Sequence, residues 1–516
     1  MLDPNLQLPP AAPLVTTDLL LTTLNARYMH SAFGFRYLYA NLGESQSQAR
    51  LMEFTIQERP LEIAEKLLQL QPRIIGFSIY IWNVTETHKV IALIRTISPK
   101  IKIIVGGPEV SFTNDLPPLC ELADHVITGP GEISFAKLCK RLLADETVEE
   151  KVIAGEVAAL DNLELPYRYY TDEDIRNRLI YVEASRGCPF KCEFCLSSLD
   201  KTAIPFNLDR FLAAMDKLFQ RGARNFKFID RTFNLKVSTS VAILEFFLQR
   251  MRDDLYLHFE VIPDNLADKL KQVLVKFPEH SLQFEIGVQT FDPEIQGLIS
   301  RRQNNQKTCE NLTWLRENTG AHIHADLIFG LPGDSLENFA NSFDQLVALR
   351  PQEIQVGILK RLRGAPINRH KDQYQLRYNP EAPYNILSSR DIDFNTLQRV
   401  NRFARFWDMI GNSGRFRETL PIILGDSAFE RFLQLSDALY AITGSSWKIS
   451  LRRVFELLYR ILVEQMDVSA DVARQSLEHD FQRSGQKGRF NPGEPDLEVI
   501  SRNGVANKRQ RQHMQG

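Results

Sequence analysis

The stretch Arg186-Gly187-Cys188-Pro189-Phe190-Lys191-Cys192-Glu193-Phe194-Cys195 sets three cysteines on one short loop, with three residues in the first gap and two in the second. Thiolates are the ligands that iron–sulfur clusters select. Three of them on one loop bind three irons of a cubane and leave the fourth iron uncovered. An uncovered iron is a place for chemistry, whereas a cluster with four protein ligands only carries electrons. Gly187 lets the backbone turn sharply before the first thiol, and Pro189 stiffens the loop's start. Zinc takes four ligands, usually Cys or His, and no histidine or fourth cysteine lies close to this loop in the sequence. A disulfide would pair two thiols and strand the third.

Working outward, a strand-like run at 179–183 ends at the cysteine loop, and apolar runs recur at 225–229, 258–262, 282–288, 323–329 and 353–359 with helical patterns between them. Six such units in a right-handed run predict a partial (β/α)6 barrel, whose sites sit at the carboxyl ends of the strands. Cys188, Cys192 and Cys195, with aromatic Phe194 before the third, resemble the signature of the radical S-adenosylmethionine (SAM) family. The resemblance implies a [4Fe-4S] cluster whose open iron is chelated by the amino and carboxylate groups of SAM. It also implies one-electron cleavage of SAM to methionine and a 5′-deoxyadenosyl radical.

That resemblance assigns expected SAM contacts. Asp230 stands nearest the place of the family's Gly-Gly-Glu element, which is missing here. Gly287-Val288-Gln289-Thr290 with Arg301-Arg302 resembles the fourth-strand segment, which makes Gln289 a ribose contact and one of the two arginines a partner of the SAM carboxylate. Ile328-Phe329-Gly330-Leu331-Pro332-Gly333 resembles the fifth-strand adenine shelf, placing Phe329 and Gly330 beside Phe194 among the SAM contacts. Each is equally readable as barrel core plus a turn glycine; their order downstream of the cysteines joins them. Lys360-Arg361-Leu362-Arg363-Gly364 sets three cations after the sixth strand, either as a site for an anionic substrate or cofactor phosphate or as a solvated turn.

Upstream, apolar runs at 19–23, 50–55, 74–80, 101–105 and 125–128 alternate with amphipathic stretches at 60–70 and 86–98. The alternation predicts a doubly wound, flavodoxin-like parallel sheet that binds ligands beyond the carboxyl ends of its strands. Val105-Gly106-Gly107-Pro108-Glu109 and Gly129-Pro130-Gly131-Glu132, followed by the cysteine motif, resemble the cobalamin (B12)-binding domain fused to many radical SAM proteins. By position this implies cobalamin contacts at Ser78, Gly106, Gly107 and Gly129, with His30 the candidate after the first strand. The family's cobalt-ligating motif reads Asp-x-His-x-x-Gly, but here Tyr28 replaces the aspartate and Gly34 comes one place late. The departure favours cobalamin with no protein imidazole on cobalt. Cys120 and Cys139 read as small core residues.

The domain reading is a leader at 1–16, a B12-binding domain at 17–150, a linker at 151–177, a radical SAM core at 178–400, a helical region at 401–483 and a disordered tail at 484–516. The helical region shows apolar periodicity at 397–409, 428–441 and 450–466 and is expected to cap the barrel mouth. The chain's 516 residues exceed one compact domain. A hydrophobic content of 44% and a charged content of 24% are those of a globular protein. Lys+Arg 62 against Asp+Glu 64 argues against an extensive nucleic-acid interface. Six cysteines, three of them in one motif, fit thiolate chemistry in a reducing cytoplasm. No signal peptide or transmembrane segment is visible.

These readings lead to a cobalamin-dependent radical SAM enzyme, with methyl transfer to an unactivated carbon of a small-molecule or peptide substrate as the favoured reaction. A reductase such as flavodoxin or ferredoxin is the expected electron donor. The alternatives are a cyclase or oxidoreductase using cobalamin without methylation, and a non-catalytic cobalamin- or redox-binding protein. An RNA methylthiotransferase needs three N-terminal cysteines, and only Cys120 and Cys139 precede the motif.

Overall fold

The structure, a computed structural model, describes residues 17–200, 202–488 and 490. The expected leader at 1–16 lies outside the described residues, as do 489 and 491–516 of the expected tail. The chain divides into two compact units, 1–397 and 398–516. Both expected α/β regions therefore fall within the first unit.

Strand β1 (Leu19–Asn25) is buried at all seven positions, as a strand covered by helices on both faces must be. Leu20 and Leu24 enter one core with Ile63, Ile75, Phe77 and Val90. Leu19 and Leu21 enter the other with Phe35, Ile104, Phe135 and Leu138. Around it run β2 (Ala49–Thr55), β3 (Ile74–Ser78), β4 (Lys102–Gly106), β5 (His125–Thr128) and β6 (Val152–Ala154), all parallel, in the order β2-β1-β3-β4-β5-β6. The order reverses between β1 and β3, which opens a crevice at their carboxyl ends.

The segment expected as a linker is ordered. It supplies β6, and Tyr167 and Tyr170 are buried. Thr171 and Asp174 form a capping box on helix Asp172–Asn177. Asp174 joins a buried ion cluster in which Arg36 reaches Glu53 at 2.7 Å and Asp174 at 2.8 Å. Widely spaced anchors such as these carry no periodicity, so the sequence pattern did not show them.

The second sheet begins with β7 (Ile180–Val182). A two-residue hairpin, β8 (Ser185–Arg186) with β9 (Ile204–Pro205), clasps the base of the cysteine loop. Then come β10 (Asn225–Phe228), β11 (Tyr256–Val261), β12 (Leu282–Gln289), β13 (His322–Phe329) and β14 (Glu353–Ile358). Their order, β14-β13-β12-β11-β10-β7, places each strand beside its predecessor, and all pairs are parallel. This is the arrangement of a partial (β/α)6 barrel with β7 and β14 as its outermost strands. β12 and β13 alternate between buried and half-buried positions. Apolar residues such as Phe284, Ile286, Leu327 and Phe329 are buried, while Glu285, Gln289, His324 and Asp326 occupy the other face.

Helix Phe394–Ile410 runs across the boundary between the units. The second unit holds helices Thr419–Leu424, Ala428–Thr443, Leu451–Gln465 and Ala470–Arg483. Asp480 is fully buried there, where it accepts hydrogen bonds from the Thr419 amide at 2.9 Å and hydroxyl at 2.7 Å. Ala470–Arg483 falls within the expected helical region at 401–483 but outside its periodic stretches, because its buried stripe of Ala473, Leu477 and Phe481 is narrow and the rest of the helix is polar. Among the described residues no helix is long and apolar enough to cross a membrane.

Candidate active site

The cysteine loop is held from inside and outside. Gly187 sits at φ +90°, and a Cβ there would collide with the Thr202 carbonyl and the Asp200 carboxylate, so the position requires glycine. The Cys188 amide donates to the Asp200 carbonyl at 3.3 Å and the Cys195 amide to the Cys192 carbonyl at 3.1 Å. Glu193, between two of the thiols, is buried. Its carboxylate takes the Ser300 hydroxyl at 2.6 Å and His370 Nε2 at 2.9 Å, and pairs with Arg369. Its amide donates to the Ile299 carbonyl at 3.0 Å, and its carbonyl accepts from Ile367 at 2.9 Å. Glu193 therefore fastens the loop to two segments that follow other strands.

All three thiols are free and half-buried, and they line one cavity of about 260 Å³ at the carboxyl ends of the β10–β13 strands. Burial pushes the Cys188 and Cys192 thiols up, and at Cys192 the Arg301 guanidinium opposes it from 3.6 Å. Among the described residues no group of three or more His, Cys, Asp or Glu side chains is placed to hold a metal ion. The loop instead brings three thiols to one cavity, a donor set suited to a polynuclear iron–sulfur cluster with one thiolate per iron.

Of the expected SAM contacts, Phe194, Gln289, Arg301 and Arg302 share this cavity with the thiols. A register shift between Gly287 and Gln289 re-aims the end of β12, and Gln289 takes φ +71°. Its buried Oε1 has no hydrogen-bond partner. Arg301 is tied to the Gly287 carbonyl and to Gln303. Arg302 is exposed and, unlike Arg301, makes no side-chain hydrogen bond among the described residues, so it is the free cation of the two. Three expectations do not reach the cavity. Asp230 is buried, accepting hydrogen bonds from the Ala184 amide at 2.9 Å and the Ser185 hydroxyl at 2.6 Å; burial pushes it up to about 6. Phe329 is fully buried against Phe339 at 5.0 Å. The Gly330 amide caps the buried Asp334 at 3.0 Å.

Residues not singled out from sequence complete the wall: Arg231, Glu260, Glu285 and Asp326. Arg231 pairs with Glu260 at 3.0 Å. Burial pushes Glu285 up, but His258 and Lys227 outweigh it and hold the carboxyl well below the usual range, at 3.0 and 3.1 Å. Burial pulls His324 down, yet Asp326 and Glu353 carry it up to about 10 from 3.3 and 3.2 Å. The signal available in the sequence was a polar residue at every second position of strands otherwise rich in apolar ones.

A second cavity, of about 280 Å³, opens in the crevice of the first sheet. Ser78, Gly106, Gly107 and Gly129 all lie on its wall, with Gly34, Tyr80, Glu132 and Arg186. At Gly129 a Cβ would meet nothing within 4 Å, and at Gly106 only ordinary contacts. Glycine here leaves space that a side chain would take, a cradle that fits the inserted tail of a large cofactor. Gly107 has a different reason: at φ +109° a Cβ would strike the Ile79 carbonyl at 2.6 Å. His30 is absent from this wall. Its Nδ1 lies 2.7 Å from the Tyr181 hydroxyl, and its backbone bridges to Leu179. The reason is that the loop after β1 extends the edge at β7. The expected anion site after β14 is also occupied by protein: Arg361 pairs with Asp115 at 2.6 Å and Arg363 with Glu109 at 2.8 Å.

Fold and sites thus define a radical SAM-type barrel joined to a B12-binding-type sheet, and comparison with known families agrees. Residues 20–139 match the B12 binding domain and residues 182–346 the Radical SAM superfamily, while 372–508 match a family described as protein of unknown function (DUF4080). The chain thus carries a match to the B12 binding domain ahead of a match to the Radical SAM superfamily. It is similar to an uncharacterized methyltransferase of Pyrococcus horikoshii, with 23% identity over 300 residues, 54% of this chain and 64% of that protein. It is also similar to the cobalamin-dependent radical SAM methyltransferase TokK of Streptomyces tokunonensis, with 22% identity over 359 residues, 61% of this chain and 51% of that protein. The chain thus spans between half and two thirds of the length of these relatives. Among solved structures, the radical SAM methyltransferase TsrM of Kitasatospora setae shares the fold with a TM-score of 0.56 at 16% identity, over 72% of this chain and 80% of that one. The cobalamin-dependent radical SAM enzyme OxsB does so with a TM-score of 0.59 at 14% identity, over 91% and 79%.

Proposed function

We propose that the protein is a cobalamin-dependent radical SAM enzyme that transfers a methyl group to an unactivated carbon of a small-molecule or peptide substrate. The observation carrying this reading is the pairing, within one compact unit, of a three-thiol cavity and a glycine-walled cavity. Arg186 lies two residues before Cys188 and lines the second cavity. When bound, the cluster supplies the electron that cleaves SAM, and cobalamin supplies the methyl group.

The chain's own residues have separate tasks. Cys188, Cys192 and Cys195 hold three corners of a [4Fe-4S] cluster, and Glu193 keeps their loop in place. Arg302 is the cation for the SAM carboxylate. Arg301, fixed beside Cys192, sets the local charge. Gln289, with its unpartnered Oε1, receives a hydroxyl donor of the SAM ribose. Ser78, Gly106, Gly107 and Gly129 shape the slot for the cobalamin tail, with no imidazole on cobalt because His30 is engaged elsewhere. An external reductase of the flavodoxin or ferredoxin type delivers electrons.

Anaerobic purification and reconstitution test the reading. The expected outcome is a four-iron chromophore together with bound corrinoid, reductive formation of 5′-deoxyadenosine from SAM, and transfer of a labelled methyl group from SAM to product. Changing any of Cys188, Cys192 or Cys195 to Ser should lower SAM cleavage at least ~100-fold. SAM cleavage with no labelled methyl in product would favour cyclase or oxidoreductase chemistry. Corrinoid binding without SAM cleavage would leave a binding protein.

A further inference from the structure

The loops that wall the glycine-lined cavity do not stand alone. The loop after β4, which carries Gly107 to Asp115, is gripped by the loop after β14 at three points. Arg363, itself buried, reaches the Glu109 carboxylate at 2.8 Å, the Asp115 carbonyl at 2.8 Å and the Tyr384 hydroxyl at 2.9 Å, and also pairs with the Asp115 carboxylate. Its guanidinium lies 4.8 Å from the Tyr384 ring centroid. Arg361 adds the 2.6 Å contact to Asp115. Gly364, at φ +82°, leaves room for the ring of Phe112. On the opposite edge, Arg186 reaches Glu132 at 2.6 Å and Glu183 at 2.8 Å, and it lies over the Tyr37 ring at 4.5 Å. Glu132 closes the loop after β5 that contains Gly129.

The two arginines emerge just past β14 and β7, the two outermost strands of the barrel sheet. Each grips one loop of the glycine-lined cavity. A buried guanidinium with several charge-assisted bonds fixes orientation as well as distance. The donors are also costly to leave unpaired, so the docked arrangement is the favoured one.

Resting on the reading of the two cavities as cobalamin and cluster sites, we propose that Arg363, with Arg186 as its counterpart, is a positioning residue. It holds the cobalamin slot open and sets the slot's distance from the cluster by binding Glu109 and Asp115 across to the barrel edge. Cation-rich as it is, the Lys360–Gly364 stretch is then a clamp and not an anion site. It is directed at cofactor geometry, and SAM cleavage does not depend on it.

The test uses full-length protein with Arg363→Met, Arg363→Lys and, as a milder variant that keeps the buried arginine, Asp115→Asn. Cluster content at the wild-type level establishes that each variant has folded. Hydrogen exchange across 107–115 is expected to rise strongly in Arg363→Met and partly in Asp115→Asn. Because a preorganised loop favours binding, cobalamin affinity should fall about tenfold in Arg363→Met and recover in part in Arg363→Lys. In the fraction that binds, the relaxation enhancement of cob(II)alamin by the reduced cluster should weaken, while 5′-deoxyadenosine formation stays within about twofold. Should Arg363→Met fail to fold, Asp115→Asn decides on the same readouts. Unchanged exchange in 107–115, or unchanged cobalamin affinity and relaxation, overturns the clamp. Failure of the wild-type protein to take up cobalamin overturns the slot reading itself and the positioning role with it.

Discussion

In the first sheet the cavity is walled mainly by glycine, aliphatic and aromatic residues, with the Arg186–Glu132 pair among them, whereas at the ends of β10–β13 it is walled by thiols, guanidinium groups and carboxylates. Both cavities lie at the carboxyl ends of parallel strands. The difference comes from the strands' second face. Helices cover both faces of β1, where an unpaired polar group would carry a large desolvation cost, so space is made there by leaving side chains out. On β12 and β13 one face meets helices and the other meets the barrel interior. Polar side chains collect on that inner face and neutralise one another in pairs. A site made by omission is sensitive to added volume, while a site made of paired charges is sensitive to the loss of one partner.

Removing a charge from the second site should have the larger effect. Glu193→Ala strands the groups now bonded to it and unfastens the cysteine loop. Iron content after anaerobic reconstitution is expected to fall about 10–100-fold in apparent affinity, with corrinoid uptake retained; equal cluster content in variant and wild type would break the contrast. Adding volume to the first site should have a smaller effect of opposite selectivity. Gly106→Leu is expected to weaken cobalamin binding roughly tenfold and leave SAM cleavage intact. Gly106→Ala should fold normally, because its Cβ makes only ordinary contacts with the protein, and should weaken cobalamin binding less than Gly106→Leu. Equilibrium titration with cobalamin checks both.

The smallest effect concerns the ion pairs themselves. His324 has its folded pKa raised to about 10 from 6.5. A raised histidine contributes stability in full below about pH 6.5 and loses it as pH climbs towards 10. His324→Gln should therefore lower stability by about 1–3 kcal/mol near pH 6, and the gap should close by pH 10. Thermal melts of both proteins across that range would reveal a constant gap if Asp326 and Glu353 do not hold the charge.

The parts of the site that were legible are local. The three thiols, the strict need for glycine at 187 and the glycine turns after β4 and β5 are each decided within a few residues of chain, where spacing and backbone conformation are written directly. Asp230 and Phe329 miss the cavity for one cause. A side chain on a strand or its following turn changes direction with a step of one residue. Thus Arg231 faces the cavity and Asp230 does not, and on β13 Asp326 faces it while Phe329 turns to the helices. Arg363 was misread for another reason, since its carboxylate partners lie some 250 positions earlier in the chain. Nothing local distinguishes a clamped arginine from a solvated one.

Sequence alone settled that the protein has two parallel α/β layers, a three-thiol loop on the second and glycine-lined turns on the first, because strand periodicity and turn chemistry act over short spans. Tertiary structure decided which side chains reach each cavity, that Glu193 fastens the cysteine loop, that 151–177 is packed and that arginines from both barrel edges grip the first sheet's loops. Those outcomes depend on which buried charges find partners far away in the chain, and folding alone brings such partners together.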